Sequence, residues 1–597
     1  VRPILLWNPV DLLCILLSEH NVFLIFAGVR KQMELLGLHY AIWIVLLLYF
    51  TGMLALGWWS KRGIDSQEGY LLGHRRFGSF MMVMHSFGAG THPGAPAGVI
   101  SKTVSSGASG IWVSWMWMFG TPFYWIIAPV VRRMRYLTVA DYYEQRFGRA
   151  ASVLYIVVAM AGMTVFLASV LLATTRTVQG MMGTAYAEGA AAQISAGQSE
   201  LWFFGILVTI TAVFILYSYW GGILAAIRTD MVQGLMIIAL SFLAIPAALR
   251  LEAVAGMGGV RETLALRSGP GAAYLSLFDA QQFNLRAVIL LSISAPLSML
   301  AFPHLMSVCG AGRTEWEGRV GFTYGNILKR LCTIGWCVLG LCWLTYLFNT
   351  QAEIHPDAAF GDSIRALLSP ALQGVMLACV MAAAMSSGDA VQVTLGGLFS
   401  QNIYRPYVKP DADERQLLRI TRMTGLAVAL TSLVVAILMR SSIVRTILDY
   451  FNILSLIGIS TAMGILWRRM NCAGVFGATI TAVISFVLTR YVWHCPREIV
   501  TGAPVFVGIF GGIVGSLLTK PTPPEKIEQF FKRIYVPIGQ EQKLNLLLDE
   551  AVPPAERWLT WGGLFIVKPS RQSWVGFLVT LGICLAAVVF MYKLLVV

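Results

Sequence analysis

Three runs of this sequence put polar atoms where an otherwise apolar chain gives no local reason for them. The first is HSFGAGTHPGAPAG, residues 85–98, with two histidines, a threonine and two prolines among small residues. Pro93 has no N–H to bond the carbonyl of Ala89, and Pro96 frees the carbonyl of His92 in the same way. Freed carbonyls are the oxygen ligands that a hard cation takes, and interrupted helices supply them in secondary transporters. The second run is MAAAMSSGDAVQV, residues 381–393, where Ser386, Ser387 and Asp389 break another apolar stretch. A carboxylate inside a membrane is costly enough to imply a role. The third, YWGGILAAIRTDMVQG at 219–234, carries Thr229, Asp230 and Gln233 on a helix after a Gly-Gly turn. Binding of a cation or a polar solute is the chemistry these types allow. Plainer readings stand beside it: a Pro-kinked packing helix of small residues at 85–98, and Asp230 as the cap partner of Arg228. The chain carries no nucleophile–base pair and no His/Cys grouping at metal-ligand spacing, so an enzyme is not expected.

Such residues need elements that hold them at membrane depth. The chain has 597 residues, 57% hydrophobic and 12% charged, where an ordinary soluble domain has about 25% charged. An all-α integral membrane protein follows. Apolar runs are expected to span near 38–59, 77–103, 109–131, 151–178, 201–219, 222–249, 284–306, 321–349, 366–400, 417–439, 443–467, 472–490, 503–519 and 573–595. That is about fourteen transmembrane helices, each long enough for roughly 30 Å of hydrocarbon. The net charge of +14 sits in short loops, where the cytoplasmic preference of Lys and Arg accounts for it. No basic domain is left to bind nucleic acid. The loops at 179–200 and 350–364 hold no Lys or Arg, while 250–283 dissents with Arg250, Arg261 and Arg267. Nine scattered cysteines read as small hydrophobic residues, and Trp115, Trp117 and Trp125 as packing or interface residues. Residues 1–35 lack the order of a signal peptide and form an N-terminal extra or amphipathic segment, unless the gene start is mis-assigned. Within 520–571, EKIEQFFKRIY and LNLLLDEAVPPAERWL have the apolar spacing of amphipathic helices lying on the membrane surface.

Four separated stretches, LTVADYYEQRFG (137–148), GGILAAIRTDMVQG (221–234), AAAMSSGDA (382–390) and GILWRRMNCAGVFGA (464–478), carry a resemblance. Over roughly residues 38–520 the chain resembles the sodium/solute symporter family. The resemblance implies a LeuT-type 5+5 inverted-repeat core with broken first and sixth core helices. A leading helix and loop would occupy 36–76, the first repeat 77–249, the second 284–467 and accessory helices 468–519. A cytoplasmic basic amphipathic loop at 520–571 and a final helix at 572–597 would follow. It also implies a sodium site from the carbonyls of Ala89, His92 and Ala383 and the hydroxyls of Ser386 and Ser387. The last three sit at i, i+3 and i+4, on one helix face. Asp230 falls near a second cation site of some members, or in a polar network on the inner path.

The departures narrow what is implied. Asp389 and Ala390 stand where members with two sodium sites carry further hydroxyls, so two-sodium stoichiometry is not implied; Asp389 supplies a carboxylate there or caps polar groups. The sixth core helix, SAPLSMLAFPHLMSV, lacks the Tyr and Asn that line the sugar site of sugar-carrying members. Lys329 lies near where those members place a substrate-contacting Lys, and the Pro303-His304 pair is similar to the monocarboxylate and pantothenate branch. The candidate substrate cavity therefore comprises Thr91, His92, His304 and Lys329, with the His92 imidazole meeting an anionic solute, coupling a proton or standing as a structurally satisfied histidine. The expected protein is a sodium-coupled importer of a small polar organic solute (monocarboxylate, amino acid, sugar or similar). It works by alternating access in the inner (cytoplasmic) membrane of a bacterium, without an obligate protein partner. The alternatives are a proton-coupled carrier using His92, Asp230 or Asp389, and a transporter-like sensor that no longer transports.

Overall fold

Prolines and glycines cut the apolar sequence into helices at the places where the backbone has to bend. The computed structural model describes residues 34–35, 37–60, 75–184, 196–220, 223–269, 273–279, 283–559 and 564–596. The segment before residue 34, the loop with Lys61 and Arg62, the Gly-Gly turn at 221–222 and the side chains of Arg228 and Thr229 lie outside the described residues. The helices that matter here are α1 (Tyr40–Ser60), α2 (Ser79–Gly90), α3 (Gly94–Ser106), α4 (Tyr124–Met134), α5 (Val139–Phe147), α6 (Arg149–Met182), α7 (Ala196–Trp220), α8 (Ile223–Leu243), α9 (Leu285–Ala301) and α10 (Leu305–Gly310). They continue with α11 (Glu315–Thr350), α12 (Ala359–Leu367), α13 (Pro370–Phe399), α14 (Glu414–Leu438), α15 (Ile443–Leu466), α16 (Cys472–Val487), α17 (Arg497–Leu517), α18 (Pro524–Tyr535) and α19 (Arg571–Val596).

By length and composition, nine helices among the described residues can cross a membrane, and three shorter apolar helices accompany them. This is a multi-pass membrane protein. The expected count of fourteen is not established by that criterion, because three of the expected spans meet it only as the shorter helices Tyr40–Met53, Gly197–Val213 and Leu285–Ala301, and two more are not continuous helices. Residues 77–103 divide into α2 and α3. The stretch 109–131 is a 3₁₀ turn at Gly107–Ile111, a short helix at Trp112–Trp115, a second 3₁₀ turn at Thr121–Phe123 and then α4. Its bend begins at Gly107, whose φ of +73° suits glycine and whose neighbour Ala108 donates its N–H to the Tyr274 carbonyl at 2.8 Å.

The apolar stretch of α13 is 94% buried, whereas that of α19 is 28% buried. The first is therefore central and the second peripheral, turning most of its surface outward. Small residues set the close contact of α2 on α11. A Cβ added at Gly321 would stand 2.6 Å from Met82 Cβ, and one at Gly325 would stand 2.7 Å from the Val83 carbonyl oxygen. Four-residue spacing of glycines is how membrane helices bring backbones together.

The LTVADYYEQRFG stretch folds into α5 behind a capping box. Thr138 Oγ1 accepts the Asp141 N–H at 3.2 Å, and Asp141 Oδ2 accepts the Thr138 N–H at 2.9 Å. Its tyrosines fasten α5 to α15: the Tyr142 hydroxyl donates to the Thr461 carbonyl at 3.1 Å and that of Tyr143 to the Ile457 carbonyl at 3.0 Å.

The basic segment departs from the membrane-surface expectation. EKIEQFFKRIY forms α18, but Phe530, Phe531 and Ile534 are buried within the protein. The Arg146 guanidinium lies 4.9 Å from the Phe147 ring centroid, 5.5 Å from Phe530 and 5.8 Å from Phe531. LNLLLDEAVPPAERWL becomes a four-residue helix at Leu548–Ala551, a 3₁₀ turn at Pro554–Glu556 and a strand at Arg557–Leu559, because Pro553 and Pro554 end any longer helix. An apolar helix face reads alike in sequence whether lipid or protein covers it. Phe531→Ala is expected to cost about 3–5 kcal/mol locally, read as faster proteolysis within 520–571 while the helical core stays intact.

Candidate functional site

The break in the first interrupted helix is sharp. α2 ends at Gly90, Thr91 takes φ −112° and ψ 88°, and α3 restarts at Gly94. Thr91 N–H bonds the Gly88 carbonyl at 3.1 Å, and Pro93 has no N–H to offer Ala89. The His92 carbonyl is less free than the sequence suggests. Although Pro96 cannot bond it, the Ala95 N–H does, at 2.9 Å, leaving one lone pair for another partner. The Gly90 carbonyl accepts a hydrogen bond from Lys329 Nζ, reaching in from α11.

Three helices meet beside this break. Asp230 on α8 receives two bonds: Ser386 Oγ of α13 donates to Oδ1, and His85 Nδ1 of α2 lies 2.8 Å from Oδ2. All three side chains are buried, at 0% exposure for His85, 1% for Asp230 and 2% for Ser386. The junction is tight, since a Cβ at Gly88 would lie 3.0 Å from Ser386 Oγ and 3.2 Å from the Asp230 side chain. Ser387 Oγ is buried with no hydrogen-bond partner among the described residues. A buried hydroxyl in that condition is rare and calls for an explanation such as an ion or water. Asp389 is buried one turn further along α13. Gln233, one turn beyond Asp230, donates to the Tyr49 hydroxyl at 3.1 Å and so ties α1 to the junction.

A second break lies between α9 and α10. Phe302 is extended, and its carbonyl accepts the Leu305 N–H at 3.0 Å. Between the two breaks is a cavity of about 40 Å³. The main chain at Ala89 and Gly90 borders it, as do Phe302, His304, Lys329 and Arg330, while Trp117, Phe166 and Tyr450 supply aromatic walls. A second cavity, about 30 Å³, lies on the other side of the first break and is bordered by Thr91, His92, Pro93 and Ala383. The four expected cavity residues thus divide: His304 and Lys329 line the first cavity, Thr91 and His92 the second. The His92 ring packs edge-on against Phe166, 4.9 Å between centroids, and its Nδ1 has no partner among the described residues.

Of the expected sodium ligands, the geometry brings the break of α2–α3 against the Ser386 face of α13. His85 and Arg330 were not picked out by sequence reasoning, and Trp117, read there as a packing or interface residue, borders the cavity. His85 could have been found from its position, one turn before Gly88 and Ala89 on the same face of α2. Arg330 follows Lys329 directly inside α11, and no local pattern sets it apart as a cavity residue.

Comparison with known proteins agrees with this architecture. A solved structure of a Na+-coupled sialic acid symporter, described as a substrate-bound outward-open state, superposes with a TM-score of 0.64 at 18% identity, over 81% of this chain and 99% of that one. That likeness establishes the fold, a LeuT-type core. The osmoregulated proline transporter OpuE of Bacillus subtilis is 24% identical over 491 residues, 79% of this chain and 91% of the relative. The sodium/proline symporter of Escherichia coli is 24% identical over 497 residues, 79% of this chain and 92% of the relative. The profile of the sodium:solute symporter family matches residues 70–482, a range that holds both helix breaks, the Asp230 junction and the polar face of α13, and the chain belongs to that family.

Proposed function

We propose that this protein is a secondary transporter, not an enzyme, that couples inward sodium movement to uptake of a small organic solute across the cytoplasmic membrane of a bacterium. Proline is the first solute to test, because the relatives above are named as proline transporters. The observation that carries the reading is the buried Ser387 hydroxyl, without a hydrogen-bond partner among the described residues, next to Ser386, whose Oγ packs against the broken helix at Gly88. Sodium would be held there by the carbonyls of Ala89, His92 and Ala383 and the hydroxyls of Ser386 and Ser387. Ser386 still has lone pairs to offer, since it spends its proton on Asp230. Neutral oxygens suit a monovalent cation that must also leave. With sodium bound, the two broken helices and α13 would be held together, and solute between the breaks would permit closure.

The test is thermal stability of the purified protein across a sodium titration, against potassium or choline at equal ionic strength. Sodium is expected to raise Tm, and Ser387→Ala to move the sodium midpoint at least about tenfold upward, the effect of losing one ligand worth about 1.5 kcal/mol. No sodium-specific response in the wild type would overturn the reading. A proton-coupled carrier is the second reading, favoured by the buried His85–Asp230 pair. Replacing sodium by choline at constant pH separates the two, because only the proton-coupled carrier keeps its uptake.

A further inference from the structure

Arg330 is the anomaly of the solute cavity. It sits within α11 at 2% exposure, its Nε and Nη1 atoms have no hydrogen-bond partner, and it forms no ion pair among the described residues. Other buried cations have an anion at hand: Arg319 lies 3.3 Å from Glu315, and Lys102 lies 3.2 Å from Asp279. Arg146, which has none among the described residues, is set among the rings of Phe147, Phe530 and Phe531 instead of facing a cavity. A guanidinium left in the interior without an anion is strongly unfavourable. Next to it Lys329 spends one N–H on the Gly90 carbonyl and keeps two more. Both cations lie near the Trp117 ring, at 5.8 Å for Lys329 and 5.9 Å for Arg330. No Asp or Glu is among the described residues lining this cavity.

We infer that the cavity between the two breaks selects a net-negative organic acid, whose carboxylate is taken by Arg330 and Lys329 and whose short hydrocarbon part lies among Trp117, Phe302 and Tyr450. The inference rests on the symport reading for the direction and energy of transport, but names the solute class independently. A carboxylate matches the guanidinium fork in two parallel hydrogen bonds. A zwitterion such as proline brings its carboxylate to the same place and then must set its ammonium beside two cations with no carboxylate to offset them. Like charges held close together away from water repel strongly. A small monocarboxylate has no such conflict.

The experiment uses the full chain in proteoliposomes and in detergent, with the bulky sulfonate of a HEPES buffer as the background anion and propionate, pyruvate, proline and chloride as probes. Pyruvate and propionate are expected to raise Tm in the presence of sodium, and labelled pyruvate to accumulate down a sodium gradient. Arg330→Gln should be at least as stable as the wild type without solute, since it removes an uncompensated buried charge. It should keep its sodium response and lose about a hundredfold in pyruvate affinity, the loss of a charged two-point contact. Arg330→Lys should recover part of that loss and not all of it.

Sodium-driven proline uptake that neither pyruvate nor propionate inhibits would overturn the anion class and leave the symport reading intact. Pyruvate binding that needs Arg330 but not sodium would support the anion site while overturning sodium coupling. Chloride stabilisation that depends on Arg330, with no response to carboxylates, would overturn the solute assignment in favour of a bound inorganic anion. Should Arg330→Gln fail to fold, inhibition of wild-type uptake by the same probes decides between the outcomes.

Discussion

Asp230→Ala is expected to abolish sodium-dependent uptake and to lower stability by about 3 kcal/mol or more. The carboxylate holds His85 of α2 on one oxygen and Ser386 of α13 on the other, all three side chains being buried. Removing it strands two polar groups at once, and breaking a buried charged contact from one side is among the costliest single changes. The functional loss should exceed the stability loss, because Ser386 is also a proposed sodium ligand whose orientation Asp230 fixes. Asp230→Asn separates the two effects. Its amide oxygen still accepts from Ser386, and His85 can switch tautomer to accept from the amide nitrogen. That variant is expected to retain most of its stability while sodium affinity falls. Thermal melts with and without sodium, paired with uptake in proteoliposomes, read both quantities, and a fully active Asp230→Ala would exclude the junction from the transport mechanism.

Gly325→Leu is the second large effect. A Cβ there would already stand 2.7 Å from the Val83 carbonyl oxygen, 2.8 Å from the Phe87 nitrogen and 2.8 Å from Ser86 Cβ. Main-chain atoms on a packed helix cannot swing aside as a flexible side chain does, so α2 itself has to move. The cost should lie at or above the upper end of the roughly 1–3 kcal/mol typical of overpacking, and α2 would carry Ala89 and the helix break away from α13. Uptake and the sodium-induced rise in Tm are both expected to vanish, with Gly325→Ala intermediate. Gly205 on α7, where an added Cβ meets nothing within 4 Å, provides the control: Gly205→Leu should change neither uptake nor Tm by more than a small amount.

Much of this arrangement could be read in the sequence wherever a local rule applied. Pro93 and Pro96 announced the break between α2 and α3, because a missing N–H is a property of the residue itself. The polar run at Ser386, Ser387 and Asp389 marked α13, because hydroxyls and a carboxylate are conspicuous in an apolar helix. What sequence could not supply were partnerships across distance. His85 and Asp230 are 145 positions apart, Lys329 and Gly90 are 239 apart, and no local pattern links either pair. The irregular path from Gly107 to Phe123 was hidden for a related reason: hydropathy registers apolar residues and is blind to a 3₁₀ turn among them. α18 shows the same limit from the other side, its apolar face being legible while the surface it meets was not.

The Lys329 ammonium serves two masters. It bonds the Gly90 carbonyl at the end of α2, beside the proposed cation ligands, and it also faces the cavity between the breaks. A solute that draws on that ammonium alters how firmly the end of α2 is held, and an ion that repositions the backbone at Ala89 alters what the ammonium can offer. Linkage then makes the exchange symmetric: whatever factor one occupant adds to the affinity of the other, it receives back in full. A single shared side chain is thus enough to make two binding equilibria one, and the strength of that reciprocity is measurable as the sodium dependence of solute affinity set against the solute dependence of sodium affinity.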